Sequence, residues 1–175
     1  KSQEYHFGTA GADYFAPIMW PDQPTRMRGI CEQYYSKMEE LAGNLMRIFA
    51  VALSIPETTF DDKIDRHITN FSVIRYPDQE SIEPAENQLR AGAHTDYGSL
   101  TIVHTNTDIG GLEVMTEDGN WEGVPWAPNS FIVNIGDLMA EWTNDRWVST
   151  MHRVANPPTS QAKNSKTSLL LIHKP

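Results

Sequence analysis

From His67 onward the chain breaks into eight short apolar segments separated by turn residues, a pattern that confines this stretch to antiparallel β-structure. The segments are residues 68–76, 91–94, 100–104, 111–115, 121–124, 131–135, 152–155 and 168–172. They are rich in Val, Ile, Leu and Thr and bounded by Gly, Pro, Asn and Asp, which is how strands and their connections read in a sequence. Strands this short and this numerous close most readily into a double sheet of the jelly-roll kind.

The preceding part has a different period. Between residues 25 and 55, Met27, Ile30, Cys31, Tyr34, Met38, Leu41, Leu45, Ile48, Phe49 and Ala52 recur at three- and four-residue steps. That spacing predicts one long amphipathic helix, ended near Pro56 because the residue before a proline is pushed out of helical geometry. Its Met and aromatic stripe reads as a packing surface, and Cys31 as a core residue. Residues 56–64 are expected to start a short second helix, residues 1–23 to be loop, and the acidic, proline-containing insertion 78–88 to be a mobile loop.

Composition narrows the partners. The 175 residues carry a formal net charge of -9, with no cluster of Lys and Arg of the kind a phosphate backbone requires, so nucleic acid is not expected. No run of about 18 apolar residues is present to span a bilayer. A single cysteine excludes an internal disulfide framework and fits a reducing, cytoplasmic compartment. The size is that of one domain, 1–175; because the chain opens on Lys1 and closes on Pro175 just after a strand-like run, parts at both ends are expected to be missing.

One constellation carries chemistry. His94-Thr95-Asp96 is answered downstream by His152. Residues i and i+2 of an extended segment project to one side, so His94 and Asp96 can address one ion, and His152 must arrive from another strand. Two imidazoles and one carboxylate make the facial triad that holds non-haem Fe(II) and leaves coordination positions open for oxygen chemistry. Small residues, Ala91-Gly92-Ala93, precede His94, and Asp96-Tyr97-Gly98-Ser99 follows as a turn. Trp142-Thr143-Asn144-Asp145 reads as a turn, with 148–152 as the strand delivering His152.

Five motifs stand in one order: Gly92-Ala93-His94-Thr95-Asp96-Tyr97-Gly98-Ser99-Leu100-Thr101-Ile102, Gly110-Gly111-Leu112-Glu113-Val114, Asn134-Ile135-Gly136-Asp137, Trp142-Thr143-Asn144 and His152-Arg153-Val154. Over roughly residues 15–175 the chain resembles the isopenicillin N synthase-like family of Fe(II)- and 2-oxoglutarate-dependent oxygenases, and five motifs in order are far more specific than any one. The resemblance implies a mainly β protein, a double-stranded β-helix (jelly-roll) core with a long supporting α-helix on its N-terminal side.

It also implies roles residue by residue. His94, Asp96 and His152 match the iron ligands. Lys166-Thr167-Ser168 stands where the family's Arg-x-Ser pair holds the distal carboxylate of 2-oxoglutarate, and strand alternation puts Lys166 and Ser168 on one face. Lysine offers a point charge where arginine offers a planar fork, so the grip on a carboxylate differs. Tyr76 matches a tyrosine facing the co-substrate or substrate, and Ile74 stands where plant members often carry Asn. Asn134 and Asp137 read as structural, Gly136 as fixing a tight turn, and Trp126, Trp142 and Trp147 as core. Apart from the resemblance, Tyr97, Arg90 and the 78–88 loop lie near enough in sequence to the ligands to touch a substrate; Arg90 could pair with a carboxylate there, but it reads first as a solvated arginine at the end of an acidic loop.

The implied activity is oxidation, by default hydroxylation, of a small organic substrate, using Fe(II), O2 and 2-oxoglutarate and releasing succinate and CO2. Two alternatives stand beside it: an iron oxidase that takes all its electrons from the substrate, and a non-catalytic β-sandwich binding module. Substrate identity and oligomeric state are not legible in the sequence.

Overall fold

The computed structural model describes residues 18–79 and 84–175. The described residues divide into two compact units, with the boundary between Arg66 and His67.

In the first unit, helix α1 spans Met27–Ala52, 26 residues. Its buried positions, Met38, Ala42, Met46 and Ala50, recur every four residues along one narrow stripe. Ile30 and Ile48, which the sequence pattern includes in that stripe, are exposed, and Cys31 is half-buried rather than core. The helix also ends before the proline rule places it. Ser54 takes a left-handed conformation (φ 62°), its N–H donates to Val51 O, and the N–H of Ile55 donates to Ala50 O. This pair of bonds is a Schellman termination, which closes the last turn on its own carbonyls.

Residues 56–64 form linked turns, not the expected second helix. Their bonds run mostly from i+3 to i, as from Thr59 to Pro56, Asp61 to Thr58 and Lys63 to Phe60. Thr59 Oγ1 also donates to Pro56 O at 2.6 Å, the local side-chain competition that disfavours helix in Thr- and Asp-rich segments. Buried Phe60 anchors the stretch, and Arg47 grips Asp61 through two nitrogens. The expectation for residues 1–17 lies outside the described residues, as do residues 80–83 of the 78–88 insertion.

The second unit is the double-stranded β-helix. Its strands are β1 (Asn70–Tyr76), β2 (Ala91–His94), β3 (Leu100–Thr105), β4 (Leu112–Met115), β5 (Trp121–Gly123), β6 (Ile132–Ile135), β7 (His152–Val154) and β8 (Lys166–His173). They make two four-stranded antiparallel sheets, ordered β1-β8-β3-β6 and β2-β7-β4-β5. Each expected strand is present, with ends shifted by one or two residues. The segment 148–151 is irregular, so the strand delivering His152 begins at His152 itself.

Register decides what faces inward. Opposed residues share a face, so Thr101, Val103 and Thr105 of β3 line up with Ile172, Leu170 and Ser168 of β8. Ile74 and Tyr76 of β1 sit opposite Ser168 and Lys166, and Asn134 and Ile132 of β6 opposite Thr101 and Val103. All of these line one cavity of about 290 Å³. Leu100, Ile102 and Leu171, on the other face of the same sheet, are fully buried core.

A second helix, α2 (Asp137–Trp142), falls where the sequence pattern shows only a turn. Six residues are too few to show a helical period. Its start is fixed by Gly136, where a Cβ would collide with the Gly98 carbonyl. Gly98 is itself held so close to the His173 carbonyl that no side chain fits there. Among the described residues, no helix is long and apolar enough to cross a membrane.

Candidate metal centre

His94 and His152 are directly opposed in the β2–β7 pair, which brings their rings to 4.3 Å between centroids. Asp96 lies just beyond β2, and its Oδ1 is 3.9 Å from the Nε2 atom of each histidine. The three donors thus converge on one point, though they stand wider apart than the roughly 3 Å that bonds of about 2 Å set between neighbouring donors, so an ion would draw them together. One ligand atom from each residue falls within 4.8 Å of the others, and among the described residues no other such group occurs.

Backbone carbonyls orient both rings. His94 Nδ1 lies 2.8 Å from Gly92 O and His152 Nδ1 3.0 Å from Thr150 O. Donation from Nδ1 to a carbonyl leaves Nε2 as the lone-pair nitrogen facing the centre, the tautomer a metal needs. Asp96 is steadied as well. Asn134 Nδ2 donates to its Oδ2 at 2.8 Å, which turns Oδ1 toward the histidines. The sequence pattern alone marks Asn134 as merely structural, and the signal it lacks is the β3–β6 register that places Asn134 on the cavity face.

Helix α2 fixes the turn that carries Asp96. Asp137 N–H donates to Asp96 O at 2.7 Å, Leu138 N–H to Gly98 O at 3.2 Å, and Gly136 N–H to Ser99 O at 3.0 Å. Thr95 Oγ1 donates to Asp137 Oδ2 at 3.2 Å. The unsatisfied first N–H groups of a helix thus find partners in the turn that carries Asp96. His94 is the exposed member, with 48% of its side chain accessible against 13% for His152 and 10% for Asp96. The cluster is therefore reachable from solvent on the His94 side.

Further along the cavity, Lys166 is buried at 5% exposure and donates through Nζ to Gly110 O at 3.0 Å. Nζ also lies 5.3 Å from the centre of the Tyr76 ring, within cation–π range. Burial first, and the nearby Arg90 charge second, hold the Lys166 ammonium below the ordinary lysine pKa. Among the described residues no carboxylate pairs with it, so the charge sits desolvated beside a neutral carbonyl and a ring, with the like charge of Arg90 nearby. Ser168, also buried, projects from the same face of β8. The Tyr76 phenol is pushed up by burial, against an opposing effect of Arg90.

Arg90 is half-buried rather than solvated. Its guanidinium donates to Pro77 O at 2.9 Å and Gln79 Oε1 at 3.1 Å and packs 5.7 Å from the Tyr76 ring centre. Trp126 is no core residue either. It is 39% exposed, lines the cavity, and donates through Nε1 to Thr105 O at 3.4 Å. Tyr97 points to solvent, 81% exposed, and is not among the cavity residues. The remaining wall is apolar, with Leu112, Val114, Val124 and Ile132 facing inward and Ile74 in place of the amide that plant members often carry.

The cavity therefore offers a two-nitrogen, one-oxygen donor set at one end and a buried cation with hydroxyls at the other. That donor set suits a borderline transition metal left with open positions. The unpartnered Lys166 charge suits a small organic anion.

Residues 68–174 match the family model described as the 2OG-Fe(II) oxygenase superfamily. The chain is 32% identical over 158 residues to validamycin A dioxygenase of Streptomyces hygroscopicus subsp. limoneus, covering 90% of this chain and 43% of that protein. It is 36% identical over 154 residues to isopenicillin N synthase of Streptomyces clavuligerus, covering 83% and 46%. Among solved structures it is similar to a full-length Neurospora crassa protein in complex with alpha-KG, with a TM-score of 0.84, 30% identity, and coverage of 91% of this chain and 51% of that one. The chain spans about half the length of these relatives.

Proposed function

Because the chain belongs to the 2OG-Fe(II) oxygenase superfamily, we infer that it oxidises, by default hydroxylates, a small organic substrate with Fe(II), 2-oxoglutarate and O2. The observation that carries this reading is the pairing, in one cavity, of the convergent His94, Asp96 and His152 with the buried, carboxylate-free Lys166.

His94, Asp96 and His152 would hold the iron, and Lys166, Ser168 and Tyr76 the distal carboxylate of 2-oxoglutarate. When bound, the iron would supply the centre at which O2, the oxidant, takes two electrons from 2-oxoglutarate and two from the substrate, so that substrate, 2-oxoglutarate and O2 give hydroxylated substrate, succinate and CO2. The protein's own contribution is positional. Asn134 keeps Oδ1 of Asp96 aimed at the centre, and the two carbonyl-anchored imidazoles keep Nε2 there. One Lys166 proton is engaged by Gly110 O, leaving two of its three donors for a carboxylate. The burial of Lys166 against the apolar wall lowers the local dielectric there, which strengthens its electrostatic grip.

The oxidase alternative leaves the Lys166 charge buried without a partner, whereas 2-oxoglutarate provides one. The substrate lies against the apolar wall and Trp126, so its reacting part is expected to be apolar. The lone Cys31 and the absence of a disulfide framework favour a cytoplasmic setting. The direct test is anaerobic titration of the Fe(II)-loaded protein with 2-oxoglutarate, followed by visible charge-transfer absorption. A saturable band that Lys166→Ala weakens supports the reading; no band from protein shown to hold iron overturns it.

A further inference from the structure

Two hydroxyl groups on β3 are shut away from solvent without a hydrogen-bond partner, Thr101 Oγ1 and Thr105 Oγ1. Both residues line the cavity. A buried, unpaired hydroxyl carries an uncompensated desolvation cost, and such groups call for an explanation in a ligand or an ordered water.

The register separates the two. Thr101 lies between Ile172 and Asn134, at the end of the cavity that holds the metal ligands. Thr105 lies directly opposite Ser168, whose other neighbour is Ile74. Lys166 projects from the same face of β8, one alternation further on. Thr105 and Lys166 thus flank Ser168 at the end remote from the metal ligands.

The placement of Thr105 is firmly held. Asn106 N–H donates to Thr167 O at 3.3 Å, and Thr167 N–H donates back to Asn106 Oδ1 at 3.0 Å, so this end of the β3–β8 ladder is pinned beyond its last pair. Trp126 Nε1 donates to the Thr105 carbonyl. Opposed residues of an antiparallel pair hold their Cβ atoms about 4.5–5.5 Å apart. One carboxylate oxygen accepting from both hydroxyls at about 2.7 Å bridges that span.

Resting on the reading above, we propose that Thr105 is a further binding residue for the distal carboxylate of 2-oxoglutarate, acting with Lys166 and Ser168. Lysine supplies the charge but lacks the planar fork of arginine. The hydroxyls of Ser168 and Thr105, one from each strand, supply the directed donors in its place. The Thr105 hydroxyl is unpartnered in the protein because its acceptor belongs to the co-substrate.

The test is calorimetric titration of anaerobic, Fe(II)-loaded protein with 2-oxoglutarate and, separately, with 2-oxopentanoate, which has the same chain without the distal carboxylate. Thr105→Val keeps the volume and removes the donor. It is expected to weaken 2-oxoglutarate about tenfold to a hundredfold, the range for a hydrogen bond to a charged acceptor. Thr105→Ala is expected to show the same loss, Thr105→Ser to restore most of the affinity, and 2-oxopentanoate to bind all four proteins alike. Without ligand, Thr105→Val is expected to melt no lower than the wild type, since it removes an unsatisfied group.

Unchanged 2-oxoglutarate affinity in Thr105→Val, with the wild type binding normally, would overturn the proposal and leave the functional reading intact; the hydroxyl would then serve only a buried water. Equal weakening of both ligands would also overturn it. Failure of the wild type to bind 2-oxoglutarate would remove the functional reading and this proposal together.

Discussion

Replacing Asn134 tests how the site controls its metal. Asn134 Nδ2 donates to Asp96 Oδ2 at 2.8 Å, and Oδ1 of the same carboxylate faces both histidine Nε2 atoms. With 10% of the Asp96 side chain accessible, water cannot fully replace the lost donor. A hydrogen bond to a charged group contributes about 1.5–3 kcal/mol. If that contribution is felt only when Asp96 is aimed at the ion, Asn134→Leu should weaken metal binding roughly 10- to 150-fold. Partners of metal ligands cost about 10–100-fold when removed, which agrees. Leu keeps nearly the same volume, so Asn134→Leu and Asn134→Ala should lose similar affinity if the bond, not the packing, matters. The assay is anaerobic equilibrium dialysis of Fe(II) against each protein, beside thermal melting without metal. Affinity within about twofold of the wild type in a folded Asn134→Leu protein would refute the reasoning.

Three other outcomes follow from the same geometry, and one from the helix. In its proposed role Lys166 would grip an anion only while protonated, and burial and Arg90 lower its pKa, so 2-oxoglutarate affinity should fall as pH rises through that depressed value, while Lys166→Arg should stay flat, as titrations at several pH values would show. Because the folded state binds that proton less readily than the unfolded chain, Lys166→Met should stabilise the metal-free protein, most at neutral pH and less as pH rises toward the ordinary lysine value, checked by denaturant unfolding. Gly136→Ala forces a Cβ onto the Gly98 carbonyl and close to Asp96 O, so it should cost about 1–3 kcal/mol in unfolding experiments and weaken metal binding. Met46→Ala, at a fully buried position of α1, should cost about 2–5 kcal/mol, read from the same unfolding curves.

Much of this architecture is legible in the sequence because its signals are local. Turn residues and β-branched runs mark the strands to within a residue or two, and the His94, Asp96 and His152 constellation combines contiguous chemistry with one distant residue. What escapes depends on register or on short range. Asn134 reaches Asp96 only because β6 pairs with β3 in one register, and no periodicity reports that. Helix α2 is too short to declare itself, and its start depends on Gly136 meeting Gly98 from elsewhere in the chain. The proline rule misplaces the end of α1 because Ser54 has already turned the backbone left-handed. Arg90 reads as solvated because its partners, the Tyr76 ring and the Pro77 carbonyl, come from another strand and the loop that follows it.

The central claim is that His94, Asp96 and His152 together hold an iron that turns over 2-oxoglutarate. It is tested most directly by quantifying succinate formed from 2-oxoglutarate in air by protein carrying one Fe(II) per chain, with His152→Ala alongside. Succinate production that depends on iron and disappears in His152→Ala is the expected result. Undiminished succinate in a folded His152→Ala protein, or none from the iron-loaded wild type supplied with O2, would contradict the account.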